Sequence, residues 1–150
     1  MAQHLLFEDI FSVNKLNPDG KKFDRVNRLA CKGLTYETEL LLDINCEIYS
    51  VMEGDKITFV LASTLDLDGA PDDGTYRMLD QGSEVTLADQ YEYVMHGRVF
   101  KYNHVAENKV EVLASFGGLL MRLSGEQRHL ASIRVDSRVY CLIRKQLRVG

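Results

Sequence analysis

Apolar and polar residues alternate with a period of two along most of the chain. Between residues 37 and 49, Thr38, Leu40, Leu42, Ile44, Cys46 and Ile48 fall on one side, against Glu37, Glu39, Leu41, Asp43, Asn45, Glu47 and Tyr49. Successive side chains of a β-strand point to opposite faces, so this pattern predicts a strand with one buried face. The same alternation puts Ile57, Phe59 and Leu61 on one side of a strand over 55–65, and Val110, Val112, Ala114 and Phe116 on one side of a strand over 109–116. It predicts a strand over 133–145, with Ile133, Val135, Val139, Cys141 and Ile143 inward and Arg134, Asp136, Arg138 and Arg144 outward. Further strands are expected over 5–16, 23–31, 90–101 and 119–123. Helical periodicity is confined to a turn or two near 82–90.

Turn chemistry separates these runs. Asn17-Pro18-Asp19-Gly20 ends the first strand, because Pro presets one turn dihedral and Gly supplies a positive φ. Glu53-Gly54-Asp55 is expected to close a hairpin, Gly117-Gly118 to make a tight bend or bulge, and Gly125-Glu126 to open the loop before the last strand. Eight alternating strands with short turns and little helix predict an all-β, OB-like antiparallel barrel, which hides the edges an open sheet would expose. One domain over 1–150 is expected.

Composition and charge narrow the function classes. The chain has 150 residues, 45% hydrophobic and 27% charged, with net charge −4. That balance fits a folded soluble domain and argues against a globally basic nucleic-acid binder. No apolar run reaches the roughly 20 residues of a membrane helix. The opening residues turn acidic at Glu8 and Asp9, where a signal peptide would stay apolar, so a reducing intracellular compartment is expected. The charge is unevenly spread. Residues 66–90 hold seven acidic residues and a lone Arg77, with four Gly or Pro, which predicts a long, mobile acidic loop over 66–89. Residues 21–32 carry five Lys or Arg against Asp24, and residues 122–148 carry seven against Glu126 and Asp136.

Catalytic and metal chemistry find little footing. Counting a calcium loop from Asp66 puts Pro71 where Gly is required and Arg77 where an acid is required, so no metal site is expected there. His4, His96, His104 and His129 are scattered and read as surface or rim residues. Cys31, Cys46 and Cys141 are an odd number without a CxxC pair, which argues against a disulfide framework or a zinc site. Cys46 and Cys141 read as small core residues. Neither a nucleophile elbow nor a phosphate loop is present, and no cofactor is expected. Lys21, Lys22, Arg25, Arg28 and Lys32, with Phe23 among them, could attract single-stranded nucleic acid without sequence preference. A solvated basic face is the plainer reading of these residues, with Phe23 as apt to lie in the core.

The segment Gly117, Gly118, Leu119, Leu120, Met121, Arg122 and Leu123 is apolar at consecutive positions. As a strand it aims Leu119, Met121 and Leu123 one way and Leu120 the other, so either the long loop or a partner must cover the outside. Tyr91, Tyr93 and Tyr140 fit an interface or the core.

Six separated motifs, in order, resemble one family: Leu6-Phe7-Glu8-Asp9-Ile10-Phe11, Gly20-Lys21-Lys22-Phe23-Asp24-Arg25-Val26, Ala62-Ser63-Thr64-Leu65, Asp89-Gln90-Tyr91-Glu92-Tyr93-Val94-Met95, Gly117-Gly118-Leu119-Leu120-Met121-Arg122-Leu123 and Val135-Asp136-Ser137-Arg138-Val139-Tyr140. Nearly end to end, the chain resembles the eighth common subunit shared by eukaryotic RNA polymerases I, II and III. The resemblance implies an OB-like barrel with a flexible acidic loop and no catalytic residues. It implies docking on the largest polymerase subunit away from the catalytic magnesium, and a location in nucleus and nucleolus. It also implies non-specific single-stranded DNA binding within about residues 16–40, with Lys21, Lys22, Arg25, Arg28 and Lys32 as contacts. Residues 69–87, 103–108 and 146–150 depart from the family pattern, so nothing transfers there. A free-standing single-strand-binding module of the same barrel class is the alternative.

Overall fold

The computed structural model describes residues 5–21, 23–65 and 86–146. Its strands are β1 (Leu5–Leu16), β2 (Val26–Gly33), β3 (Glu39–Asn45), β4 (Lys56–Ala62), β5 (Tyr93–Ala106), β6 (Lys109–Phe116), β7 (Leu119–Glu126) and β8 (Arg138–Lys145). A 3-10 turn (Leu87–Gln90) precedes β5, and a one-turn helix, α1 (Gln127–Leu130), follows β7. The strands close into an antiparallel barrel in the order β1-β2-β3-β7-β6-β5-β8-β4, so the expected all-β, OB-like barrel is what forms.

The period-two pattern explains the core. Phe11, Leu29, Leu40, Leu42, Ile44, Ile57, Phe59, Leu61, Met121 and Leu123 alternate inward and are fully buried. Each such side chain contributes about 1.5–3 kcal/mol relative to exposure. Phe11 meets Phe59 edge-on, 5.4 Å between ring centroids at 85°, the geometry that ring quadrupoles favour. One end of the barrel is closed by the β3–β4 connection, where Tyr49 stacks on Tyr93 at 5.3 Å and the Asn45 N–H donates to the Tyr93 hydroxyl at 2.9 Å. The other end is plugged by Leu130 and Ile133, both buried. Tyr93 thus belongs to the core.

Several expectations are corrected. β3 and β4 do not pair: β3 lies between β2 and β7, and β4 between β1 and β8. The Gly54 turn (φ 91) therefore ends a crossing connection rather than a hairpin. β3 stops at Asn45, which leaves Ile48 72% exposed and Cys46 half-buried instead of in the core. β8 begins only at Arg138, because a turn precedes it with Asp136 at φ 65, and Val135 is 50% exposed rather than inward. Phe23 is exposed as well.

β5 serves two neighbours. Its first half pairs with β8 and its second with β6, and Arg98 lies opposite both Arg138 and Ser115. At this changeover Gly97 lies against the β6 backbone. A Cβ there would clash with the Ser115 carbonyl and stand 2.8 Å from the Phe116 Cα. Two register shifts follow along β5, at Phe100 and Val105. Both side chains are exposed, as expected of extra residues that a bulge pushes out of the ladder.

Candidate docking surface

The barrel has two contrasting outer walls. On β4 and β8 the outward residues Val60, Ala62 and Leu142 form a second buried cluster under Leu87 of the 3-10 turn. Tyr91, Val94 and Tyr140 pack around it. The Leu87 N–H donates to the Leu65 carbonyl at 2.8 Å, so the acidic stretch leaves and returns at neighbouring points. Residues 66–85, most of the expected mobile loop, lie outside the described residues. Tyr91 and Tyr140 therefore do packing work on this wall.

The opposite outer wall, on β6, β7, β3 and β2, carries no such cover among the described residues. Ser115 on β6 lies beside Leu120 on β7. One level along, Leu113, Arg122 and Leu41 lie side by side on β6, β7 and β3, followed by Ala30 on β2. Leu41, Leu113 and Ala30 are half-buried and Leu120 is 43% exposed. Ala30, Lys32, Glu39, Leu41 and Arg122 line a shallow groove in this wall. Arg122 reaches Glu111 at 3.7 Å.

Gly117 and Gly118 set the edge of the wall. Phe116 pairs with Leu119, so the two glycines are the whole connection between β6 and β7. Their φ angles, 64° and 98°, are those of the two-residue hairpin turn whose twist matches its strands. The expected bend is thus a tight hairpin. Met121 and Leu123 point into the core and are buried, and Leu119 packs against it. Only Leu120 and Arg122 of this segment face outward.

Asp43 pins that hairpin to the barrel. Its carboxylate accepts from Arg28 Nε at 2.7 Å and Nη2 at 3.1 Å, and from the Leu120 N–H at 3.0 Å. It thereby joins β2, β3 and β7 at one buried acid. The bidentate bond to Asp43 holds the Arg28 guanidinium above its ordinary pKa. Nothing in the alternating pattern distinguishes Asp43 from an ordinary exposed acid. Its burial comes from β2–β3–β7 pairing, which sequence periodicity does not encode.

The five basic residues expected to contact nucleic acid are not equivalent. Arg28 is committed to Asp43. Arg25 is exposed and 3.5 Å from Glu47. Lys21 is exposed, with its Nζ 3.8 Å from Cys46 Sγ. Lys32 is exposed on β2, opposite Glu39. Lys22 lies outside the described residues.

Reactive chemistry is sparse among the described residues. No three His, Cys, Asp or Glu gather as a metal site would require. Burial pushes the Cys31 thiol up to about 12 and raises the Cys141 thiol as well, so both are inert. His129 packs on Tyr36 and His96 on Tyr140.

A closed eight-stranded antiparallel barrel with almost no helix defines an all-β, OB-like barrel protein. Comparison with known sequences makes this specific. The family described as RNA polymerase Rpb8 matches residues 8–145. A curated relative from Dictyostelium discoideum, "DNA-directed RNA polymerases I, II, and III subunit rpabc3", is 47% identical, covering 94% of this chain and 97% of its own length. One from Arabidopsis thaliana, "DNA-directed RNA polymerases II, IV and V subunit 8B", is 46% identical over 94% and 96%. One from Saccharomyces cerevisiae, "DNA-directed RNA polymerases I, II, and III subunit RPABC3", is 37% identical over 93% and 97%. The chain belongs to the RNA polymerase Rpb8 family, the small non-catalytic subunits of DNA-directed RNA polymerases.

Proposed function

We propose that this chain is a shared, non-catalytic assembly subunit of nuclear RNA polymerases I, II and III, and that it docks on their largest subunits through the bare outer wall. Gly117, Gly118, Leu119, Leu120, Met121 and Arg122 form the heart of that surface. Leu120 and Arg122 make the contacts, the glycines shape the edge, and Leu119 and Met121 anchor the strand from inside. The observation that carries this reading is the contrast between walls. The β4–β8 wall buries its apolar residues under Leu87, whereas Leu120, Leu113 and Leu41 have no such cover among the described residues. Partly exposed apolar side chains set among polar groups, as Leu120 is beside half-buried Leu113 and Leu41 around Arg122, fit a protein–protein surface. The resemblance to the shared-subunit family extends the location to nucleus and nucleolus. The Arabidopsis relative is named for a different set of polymerases, so the set served is read by experiment.

Affinity purification of the tagged chain from nuclear extract at moderately high salt, followed by mass spectrometry, tests this. Recovery of the largest subunits of all three polymerases in similar proportion is expected. Recovery of the chain alone, with nucleic acid lost as salt rises, would favour a free-standing single-strand-binding module instead. Binding of single-stranded DNA through Lys21, Lys22, Arg25 and Lys32 is a secondary activity in this reading. Arg28, spent on Asp43, contributes little to it.

A further inference from the structure

We propose that the segment received by the bare wall is acidic, and that Arg98 and Lys101 on β5 and Arg138 at the start of β8, which border that wall, read its carboxylates while Leu113 and Leu120 take its apolar side chains. This rests on the docking reading above and adds the chemistry of the partner. Arg98 and Arg138 are directly opposite each other on β5 and β8. Like charges facing across a strand pair repel, which destabilises the sheet unless an anion sits between them. Among the described residues no acid comes within ion-pair distance of Arg98, Lys101 or Arg138. Arg25, Arg28, Arg122 and Arg128 each have a carboxylate partner. The acid nearest in sequence, Asp136, donates its N–H to the Val99 carbonyl and forms no ion pair with these cations.

The register makes the cations and the apolar stripe one surface. Arg138, Arg98, Ser115 and Leu120 form one level across β8, β5, β6 and β7, and Lys101, Leu113 and Arg122 form the next. The chain as a whole carries −4, so this local excess of positive charge is an exception to its own background. A bidentate guanidinium matches a carboxylate in shape as well as charge. A protein segment fits better than a nucleic acid. Leu113 and Leu120 flank the cations toward β6 and β7. On the other side His96 packs on Tyr140, which belongs to the covered cluster, so Phe100 is left as an isolated ring rather than part of a succession on which bases stack.

The test uses the tagged chain purified with its polymerase from cells. A photo-reactive phenylalanine analogue replaces Leu113, and the crosslinked segment is sequenced by mass spectrometry. Arg98→Glu/Arg138→Glu and Arg98→Lys/Arg138→Lys are compared with wild type for the largest subunit retained per tagged chain. The expected result is a crosslink to a polymerase segment rich in Asp and Glu. Retention should fall about tenfold or more on charge reversal and recover substantially in the lysine pair. A crosslink to a neutral or basic segment, a crosslink to nucleic acid, or wild-type retention of the reversed pair overturns the proposal. If the reversed pair assembles normally while Leu120→Asp does not, the partner chemistry fails and the docking surface stands. If both assemble normally, the docking reading fails with it.

Discussion

Single residues already separate structural chemistry from surface chemistry. Glu92 accepts hydrogen bonds from the Tyr49 hydroxyl and, at 3.0 Å, from the Lys145 N–H, while Lys145 Nζ lies 5.6 Å from the Tyr49 ring centre. The Tyr49 bond first, then the Lys145 bond, hold the Glu92 carboxyl below its usual range. A depressed carboxylate stabilises the fold above its unfolded pKa, and that stabilisation is lost as pH falls through the folded value. Glu92→Gln should therefore lower the melting temperature at neutral pH, with the difference from wild type shrinking in acid. A constant difference from neutral pH to about pH 2 would show that the ionised form contributes nothing. The thiols give a second check. Cys31 and Cys141 are buried and Cys46 is half-exposed. A thiol reagent should modify one cysteine quickly in the native chain and all three in denaturant; rapid native modification of more than one would refute the burial assigned here. These residue-level facts were only partly legible in the sequence. Period two placed Cys141 inside correctly and misplaced Cys46, because β3 ends one residue before it.

At the scale of elements, alternation marked four strands, over 37–49, 55–65, 109–116 and 133–145, and turn residues bounded the other four, so all eight were placed. β1 and β6 match the expected bounds, because turn residues stop them abruptly: Asn17-Pro18-Asp19-Gly20 after β1 and Gly117-Gly118 after β6. Partner choice was less legible. The Gly54 turn looks like a hairpin locally, yet β3 and β4 part company because β3 closes against β7 and β4 against β1 and β8. Two predictions belong here. Gly97→Ala should cost about 1–3 kcal/mol in a urea titration, because the β6 backbone occupies the space its Cβ needs; wild-type stability would contradict that close approach. Asp43→Ala strands the Arg28 guanidinium and the Leu120 N–H, and should cost about 1–3 kcal/mol. A loss under about 0.5 kcal/mol, typical of ordinary surface changes, would show that the three-strand anchor is not structural.

For the whole molecule, the informative feature is where the barrel covers itself. Consecutive apolar residues in β7 signalled that some outer wall needs a cover, and the sequence left open whether the acidic loop or a partner supplies it. Leu87 answers this for the β4–β8 wall. Leu120, on the other side, stays 43% exposed. The basic segment illustrates the opposite limit. Counting charges made Lys21 to Lys32 look like one patch, but Arg28 and Arg25 face acids that are distant in sequence and near in space.

The most direct test of docking through the bare wall is the amount of largest polymerase subunit recovered with a tagged chain carrying Leu120→Asp, alongside its thermal unfolding curve. The bare-wall reading predicts that the largest subunit is lost while the isolated variant melts within a few degrees of wild type, as a half-exposed position allows. Recovery in wild-type proportion would contradict docking through this wall. Loss of folding in the isolated variant would show that Leu120 serves the core instead.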